Sequence, residues 1–412
     1  MIWNERRINI WLIVEFILVF CILWFCFDFL STTVQNYLRG TGFDIENTYR
    51  ITLSQKRGEA AVELDPEMTE LHMTLLVKER ISRYPGIEAL SFSRHSIPNV
   101  LSSSGGSYRI ESDSTNTMLY FRDVTPEFFE VFRIPLQRGE IFDWPDDTKV
   151  NRWVFYPDGS GKIGDYPVEE VHSVNNGDRP DRKYTVAGYT YPLRSNFFDP
   201  FSAGVFRPMG SSYFRLRQDT EITVRVRPEI YRDFPEKFRK EMAEQLNIGN
   251  YYLASIRSFA DMEKDAAYQN GISGKLNSIF AITAFVIVNI FLGILGSFWF
   301  RTQSRRSEIG LRIALGASKR KVKNLLLGET LLLLSLAAIV GTLICLHIGS
   351  TELIQDLGIP YTDRQKMGIG GEQDFINFGL TFAFLALVSI VSVWYPASQA
   401  SKTQPAEALH EE

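Results

Sequence analysis

Cysteine, histidine and catalytic signatures are scarce in this chain, and each scarcity excludes something. The three cysteines, Cys21, Cys26 and Cys345, all fall in apolar runs. The polar middle therefore holds neither a disulfide framework nor a cysteine-rich metal site. The five histidines are scattered, and neither His-Glu-x-x-His nor Gly-x-Ser-x-Gly occurs, which removes the zinc-protease and nucleophile-elbow signatures. Asp158-Gly-Ser-Gly-Lys162 has the outline of a phosphate loop but lacks the glycine spacing and the Ser/Thr after the lysine; Gly271-Ile-Ser-Gly-Lys275 fails in the same way, since Leu276 follows. No ATP-hydrolysing site is expected in the chain, and no cofactor. With a net charge of −4 and no basic–aromatic stripe, nucleic acid is not an expected partner.

Long apolar runs are what the chain does have. Mean hydropathy is close to zero, yet apolar residues gather at the two ends around a polar middle of roughly 240 residues. The runs are Ile8–Phe27, Leu276–Phe300, Leu325–Ile348 and Phe375–Tyr395; about 20 residues make about 30 Å of helix, enough to span hydrocarbon. The first is too long for a signal peptide and no small-x-small cleavage site follows, so it reads as an anchor. Arg6 and Arg7 ahead of it place the N-terminus in the cytoplasm. Arg301–Lys323, between the second and third runs, carries eight basic residues and one acid, Glu308, and is cytoplasmic by the same rule. The loop before the fourth run carries Glu352, Asp356, Asp363, Glu372 and Asp374 against Arg364 and Lys366, which suits the outside. These signs agree on a membrane protein with four transmembrane α-helices and both termini cytoplasmic. A large α+β extracytoplasmic domain, residues 31–274, is inserted between spans 1 and 2.

Glu15 lies inside the first span, and an intramembrane carboxylate is a functional candidate by default. The alternative is structural: a bond to a neighbouring helix, for which Asn289 is the nearest candidate, or a protonated group within the bundle. Asp28 reads as interfacial. In the polar domain, Asp65-Pro66-Glu67 has the chemistry of a helix start, with Met73, Val77, Ile81 and Tyr84 on one face and Pro85-Gly86 as the stop. Ser102–Ser107 reads as a flexible loop. Strands are expected at Ile87–Ser93, Met118–Val124, Trp153–Tyr156, Tyr184–Tyr191, Ile222–Arg227 and Tyr251–Arg257, and helices at Thr125–Phe132, Pro235–Leu246 and from Ser258. Phe128, Phe129 and Phe132 read as core rather than as a ligand surface.

Within the basic stretch, Ile309 and Ile313, and Leu311 and Leu315, recur at a spacing of four, giving one apolar stripe between basic flanks and so a short amphipathic helix. Gly316 is placed to stop it and Ser318 to cap the next helix. Such a helix suits a partner groove with acidic rims, and equally a position flat on anionic lipid.

The segment RTQSRRSEIGLRIALGASKRKVKNLLLGETLLL resembles the signature of MacB/FtsX-type ABC transporter permeases: a basic stretch, Glu-Ile-Gly, an Arg, Ala-Leu-Gly-Ala and a basic helix entering a span. Tyr395–Leu409 is similar to that family's closing motif, and Thr125–Phe142, TPEFFEVFRIPLQRGEIF, to a segment of its periplasmic core domain. The resemblance implies an FtsX-like permease domain at 275–412 and a MacB-like core domain divided into an α/β part, about 41–93 with 217–261, and an inserted mainly β part, about 95–216. It implies that the helix of about 304–315 couples to an ABC ATPase subunit through Arg305, Arg306, Glu308, Ile309, Arg312, Ile313 and Leu315. Because few residues precede the first span, that ATPase, with its ATP and Mg, is expected as a separate polypeptide.

As the chain supplies only four spans, the resemblance implies a dimer with a second permease copy or homologue in the inner membrane, among membrane lipids. A periplasmic adaptor and an outer-membrane factor are further partners the family leaves open. The implied activity is export or extraction of peptides, antimicrobials, toxins or lipoproteins, the permease itself being non-catalytic. The alternative is a non-transporting regulator, in the FtsX manner, of an external wall-remodelling partner. A membrane-tethered enzyme is the weakest reading, since no catalytic constellation appears.

Overall fold

A computed structural model of the chain describes residues 6–58, 61, 63, 68–100, 104–110, 116–143, 152–157, 168, 171–176, 179–197, 199, 201–210, 214–304, 306–349 and 372–400. In chain order the elements are α1 (Arg6–Arg39), β1 (Thr48–Gln55), α2 (Glu70–Ser82), β2 (Ile87–Arg94), β3 (Ser104–Ile110), β4 (Asn116–Val124), α3 (Phe128–Val131), β5 (Leu136–Gly139), β6 (Arg152–Tyr156), β7 (Val171–Asn176), β8 (Arg179–Thr190), β9 (Gly204–Pro208), β10 (Glu221–Val226), α4 (Phe234–Met242), β11 (Tyr251–Ser258), α5 (Phe259–Gln269), α6 (Ile272–Ser304), α7 (Arg306–Ala314), α8 (Lys319–Gly349) and α9 (Glu372–Ala400). The chain divides into two compact units, Met1–Leu38 with Ile272–Glu412, and Arg39–Gly271.

The first unit is a helical bundle. Four of its helices are long and apolar enough to cross a membrane, through Ile10–Ser31, Ser273–Ser297, Lys319–His347 and Phe375–Gln399. Leu12, Phe16, Phe20 and Leu23 recur along one face of α1 and are buried, as spacings of three and four require. Phe20 fits where α8 has no side chain, at Gly341; Trp24 stacks on Phe378 of α9 at 5.4 Å. Asp28 is one further turn along that face, and this corrects its reading as an interfacial residue. It is buried, and Asn377 of α9 donates its amide Nδ2–H to Oδ1 at 2.8 Å. A carboxylate in apolar surroundings needs such a donor, and the pair fastens span 1 to span 4.

In the second unit one sheet runs β11-β1-β10-β2-β4-β3-β7-β8-β6-β9, with β5 on β8 and a further parallel pairing of β4 with β9. Pairing therefore closes on itself through β4, β3, β7, β8, β6 and β9. One face of these strands carries Leu119, Phe121, Trp153, Phe155, Tyr184, Val186 and Val205 as one cluster. Val154, Tyr156, Ala187 and Phe206 belong to another, shared with Phe128, Phe129 and Phe132. Those phenylalanines are core. At the other end, α2 and α4 cover β1, β10 and β2 with Met73, Val77, Ile81, Phe234, Phe238 and Met242 against Ile51, Ile222, Val224 and Phe92.

Two local readings are corrected. The helix expected from Asp65 begins at Glu70: Thr69 is its cap, accepting from His72 N at 3.2 Å, while Asp65, Pro66 and Glu67 lie outside the described residues. Ser104–Ser107, part of what read as a loop, belongs to a strand, Ser104–Ile110, between β4 and β7. Its glycines permit rather than prevent this. A Cβ on Gly105 would come within 2.8 Å of Leu119 O on the neighbouring strand, so the close approach requires glycine. Asp158–Lys162, the acidic loop through Asp363, and the closing motif beyond residue 400 also lie outside the described residues.

Glu221-Ile-Thr-Val-Arg-Val226 alternates as a half-exposed strand would, yet all six residues are buried. The polar face of β10 is covered by loops, and its side chains bind them. Arg225, 2% exposed, donates Nε–H to Val131 O at 2.7 Å, Nη1–H to Glu46 O at 2.8 Å and Nη2–H to Asp44 O at 2.7 Å. Glu221 Oε2 accepts from Ser93 Oγ at 2.8 Å, Ser96 N at 3.0 Å and Ile97 N at 3.3 Å. Burial outweighs these donors and raises its pKa above the ordinary 4.5. Removing Arg225 leaves three backbone carbonyls without their donor, that of Val131 buried and those of Glu46 and Asp44 part-buried. Arg225→Met is expected to destabilise the unit by about 3 kcal/mol or more in denaturant titration. Arg133→Met, which removes only an exposed partner of the same Asp44, should cost under about 1 kcal/mol.

Candidate functional site

The basic stretch folds into α7 between two spans. Gly316 ends the helix with φ +92°, a conformation that costs glycine nothing. Ala317 N bonds Arg312 O at 2.9 Å and Gly316 N bonds Ile313 O at 3.0 Å, the two hydrogen bonds of a Schellman stop. Ser318 then caps α8, its Oγ accepting from Lys321 N at 3.4 Å. The C-terminal end of α7 and the start of α8 are thus set by local chemistry, with a sharp turn into the third span.

At 100° per residue, Ile309 and Ile313 lie on one side of α7 while Glu308, Leu311 and Leu315 lie on the other. The sequence reading treated the two apolar pairs as one stripe; the structure separates them. Ile309 is 5% exposed and joins the bundle's own apolar cluster with Val322, Leu326, Val393 and Ala397, with Ile313 packed alongside. Leu311 is 50% exposed and Leu315 80%. Between these leucines, Arg312 Nη2 reaches Glu308 Oε1 at 2.9 Å, one turn back. Both side chains are about one-third exposed, so the pair is worth a few tenths of a kcal/mol on its own. It fixes the polar pattern beside Leu311 rather than the fold. Arg305 lies outside the described residues, and of Arg306 only the helical backbone is described.

Aromatic residues gather on neighbouring turns of the same unit: Trp299 stacks on Tyr395 at 6.0 Å and Lys323 lies 5.7 Å over Trp394. Aromatic rings and lysines of this kind anchor spans at a membrane surface. Glu15 is not brought to α7. Its carboxyl lies over Gly293 of α6, where a Cβ would meet Oε1 at 2.3 Å. The suggested Asn289 partner does not hold it: that amide donates to Phe285 O on its own helix at 2.8 Å. Among the described residues, no group of His, Cys, Asp or Glu is arranged to hold a metal ion.

The division of α7 into a seated face and an open face predicts a difference in hydrogen exchange. Ile309→Asp should speed exchange of α7 amides about tenfold or more by burying a charge in the bundle contact. Leu315→Asp should leave them within about twofold of the parent.

Residues 280–405 match the family described as FtsX-like permease C-terminal. Across the longer chain, similarity extends to a pyoverdine export ATP-binding/permease protein PvdT of Pseudomonas putida, 23% identical over 306 residues, covering 69% of this chain and 42% of that protein. A macrolide export ATP-binding/permease protein MacB of Pasteurella multocida is 25% identical over 220 residues, covering 53% of this chain and 31% of that protein. The chain thus spans less than half the length of these curated relatives. Among solved structures, the periplasmic region of MacB from Actinobacillus actinomycetemcomitans aligns at 13% identity and a TM-score of 0.34, covering 54% of this chain and 94% of that one. Residues 280–405, which hold α7, thus match an FtsX-like permease domain, within a multi-pass membrane chain similar to MacB- and PvdT-type ATP-binding/permease proteins.

Proposed function

We propose that this chain is a permease subunit whose α7 is gripped by an ABC-type ATPase, so that nucleotide-driven closure of the ATPase shifts the spans and, through them, the large domain of residues 39–271. The supporting observation is the open face of α7: Leu311 and Leu315 stay exposed beside an ion pair although the same helix seats Ile309 in the bundle. Exposed leucines flanked by arginines suit an apolar groove with acidic rims. The basic stretch orients α7 and both termini toward the cytoplasm of the inner membrane, and residues 31–274 away from it. ATP and Mg belong to an ATPase outside these 412 residues, which contain no phosphate loop.

The seated face matters as much as the open one. A helix gripped outside and packed inside can pass a displacement to α8 and α9 without unfolding. Partner binding need only favour one of two bundle arrangements, and its differential affinity for them sets the shift. A second copy of the chain, or a homologue, completes the bundle. Work on the outer side is export or extraction of a peptide, antimicrobial, toxin or lipoprotein, and a periplasmic adaptor or outer-membrane factor takes part where the substrate must cross further layers.

Purification of the tagged chain in mild detergent, with identification of co-eluting proteins, tests the docking assignment. A nucleotide-binding subunit should co-elute with the parent. Reversing charge at Arg305, Arg306 and Arg312 together should reduce it about tenfold or more, with the chain's own thermal unfolding unchanged. Co-elution that survives the change overturns the assignment. A cell-wall hydrolase or its activator co-eluting in place of a small amphiphile or lipoprotein would select the regulatory role over transport.

A further inference from the structure

On the polar side of the sheet, Arg50 of β1 and Arg257 of β11 stand directly opposite each other across the strand pair. Like charges at paired positions repel, so each needs a counter-charge. Arg257 has one in Asp265 of α5. Arg50 is less well served: its Nε is buried and has no hydrogen-bond partner among the described residues. The nearby Glu221 carboxylate feels the charge of Arg50, but its Oε2 is occupied by Ser93, Ser96 and Ile97.

Both arginines line a cavity of about 200 Å³, together with Asn99, Asn196, Gln269 and the Asp265 carboxylate that pairs with Arg257. Asn99 is 7% exposed, and its Oδ1 is a second buried polar atom without a partner among the described residues. Two unmet demands of opposite kind therefore border one space. A desolvated guanidinium N–H calls for an acceptor, best an anion; a buried amide oxygen calls for a donor. A lone oxyanion meets only the first. A molecule with an oxyanion and an N–H or O–H a few atoms away meets both, and the volume suits a few-atom headgroup rather than a folded partner.

We propose that this cavity binds a small phosphoester carrying an adjacent amine or hydroxyl, its phosphate held by Arg50 and its donor group by Asn99. Arg257, already neutralised by Asp265, adds field without requiring the ligand. The same chemistry occurs in a soluble phosphoester and in a phospholipid headgroup. Gln269 on the cavity wall is three residues ahead of Ile272, where a membrane-spanning helix begins, so both sources are to be tested. The site does not depend on the docking role of α7, and either assignment can fail alone.

The test is calorimetric titration of the full chain, purified in a glycosidic detergent, with O-phosphoethanolamine, inorganic phosphate and ethanolamine. Saturable binding of O-phosphoethanolamine is expected, with phosphate about tenfold weaker and ethanolamine silent. Arg50→Gln should weaken both anions about tenfold or more. Asn99→Gly suits the positive φ of that residue and should weaken O-phosphoethanolamine alone, leaving phosphate unchanged; this keeps the proposal testable if the arginine variant fails to fold. Native mass spectrometry after exposure to phosphatidylcholine vesicles with and without phosphatidylethanolamine separates the sources. Phosphatidylethanolamine retained by the parent and lost from Arg50→Gln identifies the lipid; binding of the soluble probe without retained lipid identifies the phosphoester. No saturable binding of either anion, or equal binding by parent and Arg50→Gln, overturns the proposal.

Discussion

A short helix packed against a membrane bundle has one face left to offer, and in α7 the choice is made by Ile309. Burying that side chain among Val322, Leu326, Val393 and Ala397 fixes the rotation of the helix. Everything on the far side follows from that rotation: Leu311 and Leu315 outward, with Glu308 and Arg312 paired beside them. The Schellman stop at Gly316 and the Ser318 cap hold the C-terminal end of α7 and its junction with the third span. Together these contacts make a rigid lever rather than a loop, and a lever is what a remote motor needs.

The second unit obeys a different constraint. Its strand β10 is buried on both faces, so its polar residues cannot turn to water and must bind the segments that cover them. Arg225 holds three backbone carbonyls, one at the end of α3 and two in the loop before β1. Arg122 likewise donates to Ser195 Oγ at 3.0 Å and to the Tyr156 hydroxyl at 3.3 Å. Such networks are costly to break and resist gradual deformation, which suits a domain moved as one body. Arg50 has a buried Nε whose hydrogen bonding is incomplete, and it borders a cavity.

Much of this was legible in the residues. Four apolar runs of spanning length, the helix stop at Gly316, the Ser258 cap and the core role of Phe128, Phe129 and Phe132 all rest on local chemistry. What stayed hidden rests on tertiary context. Asp28 looked interfacial because sequence gives depth along a span but not which neighbour faces it; Asn377 lies 349 positions away. Ser104–Ser107 looked like a loop because glycine and serine weaken strands, and the close β3–β4 approach that needs Gly105 is invisible without the partner strand. The two faces of α7 were recoverable by counting 100° per residue, whereas a count of four-residue spacings merged them. Arg225 and Glu221 gave no signal, since an alternating strand reads as half exposed until the loops over it are placed.

The central claim is that α7 shows its Leu311–Leu315 face to a motor protein and its Ile309–Ile313 face to its own bundle. The most direct measurement is photo-crosslinking in native membranes, with a benzophenone amino acid placed in turn at 309, 311, 313 and 315. The account predicts an adduct with a nucleotide-binding protein from 311 and 315, and no intermolecular adduct with it from 309 or 313. Adducts from the Ile309 and Ile313 positions, with none from Leu311 and Leu315, would contradict it.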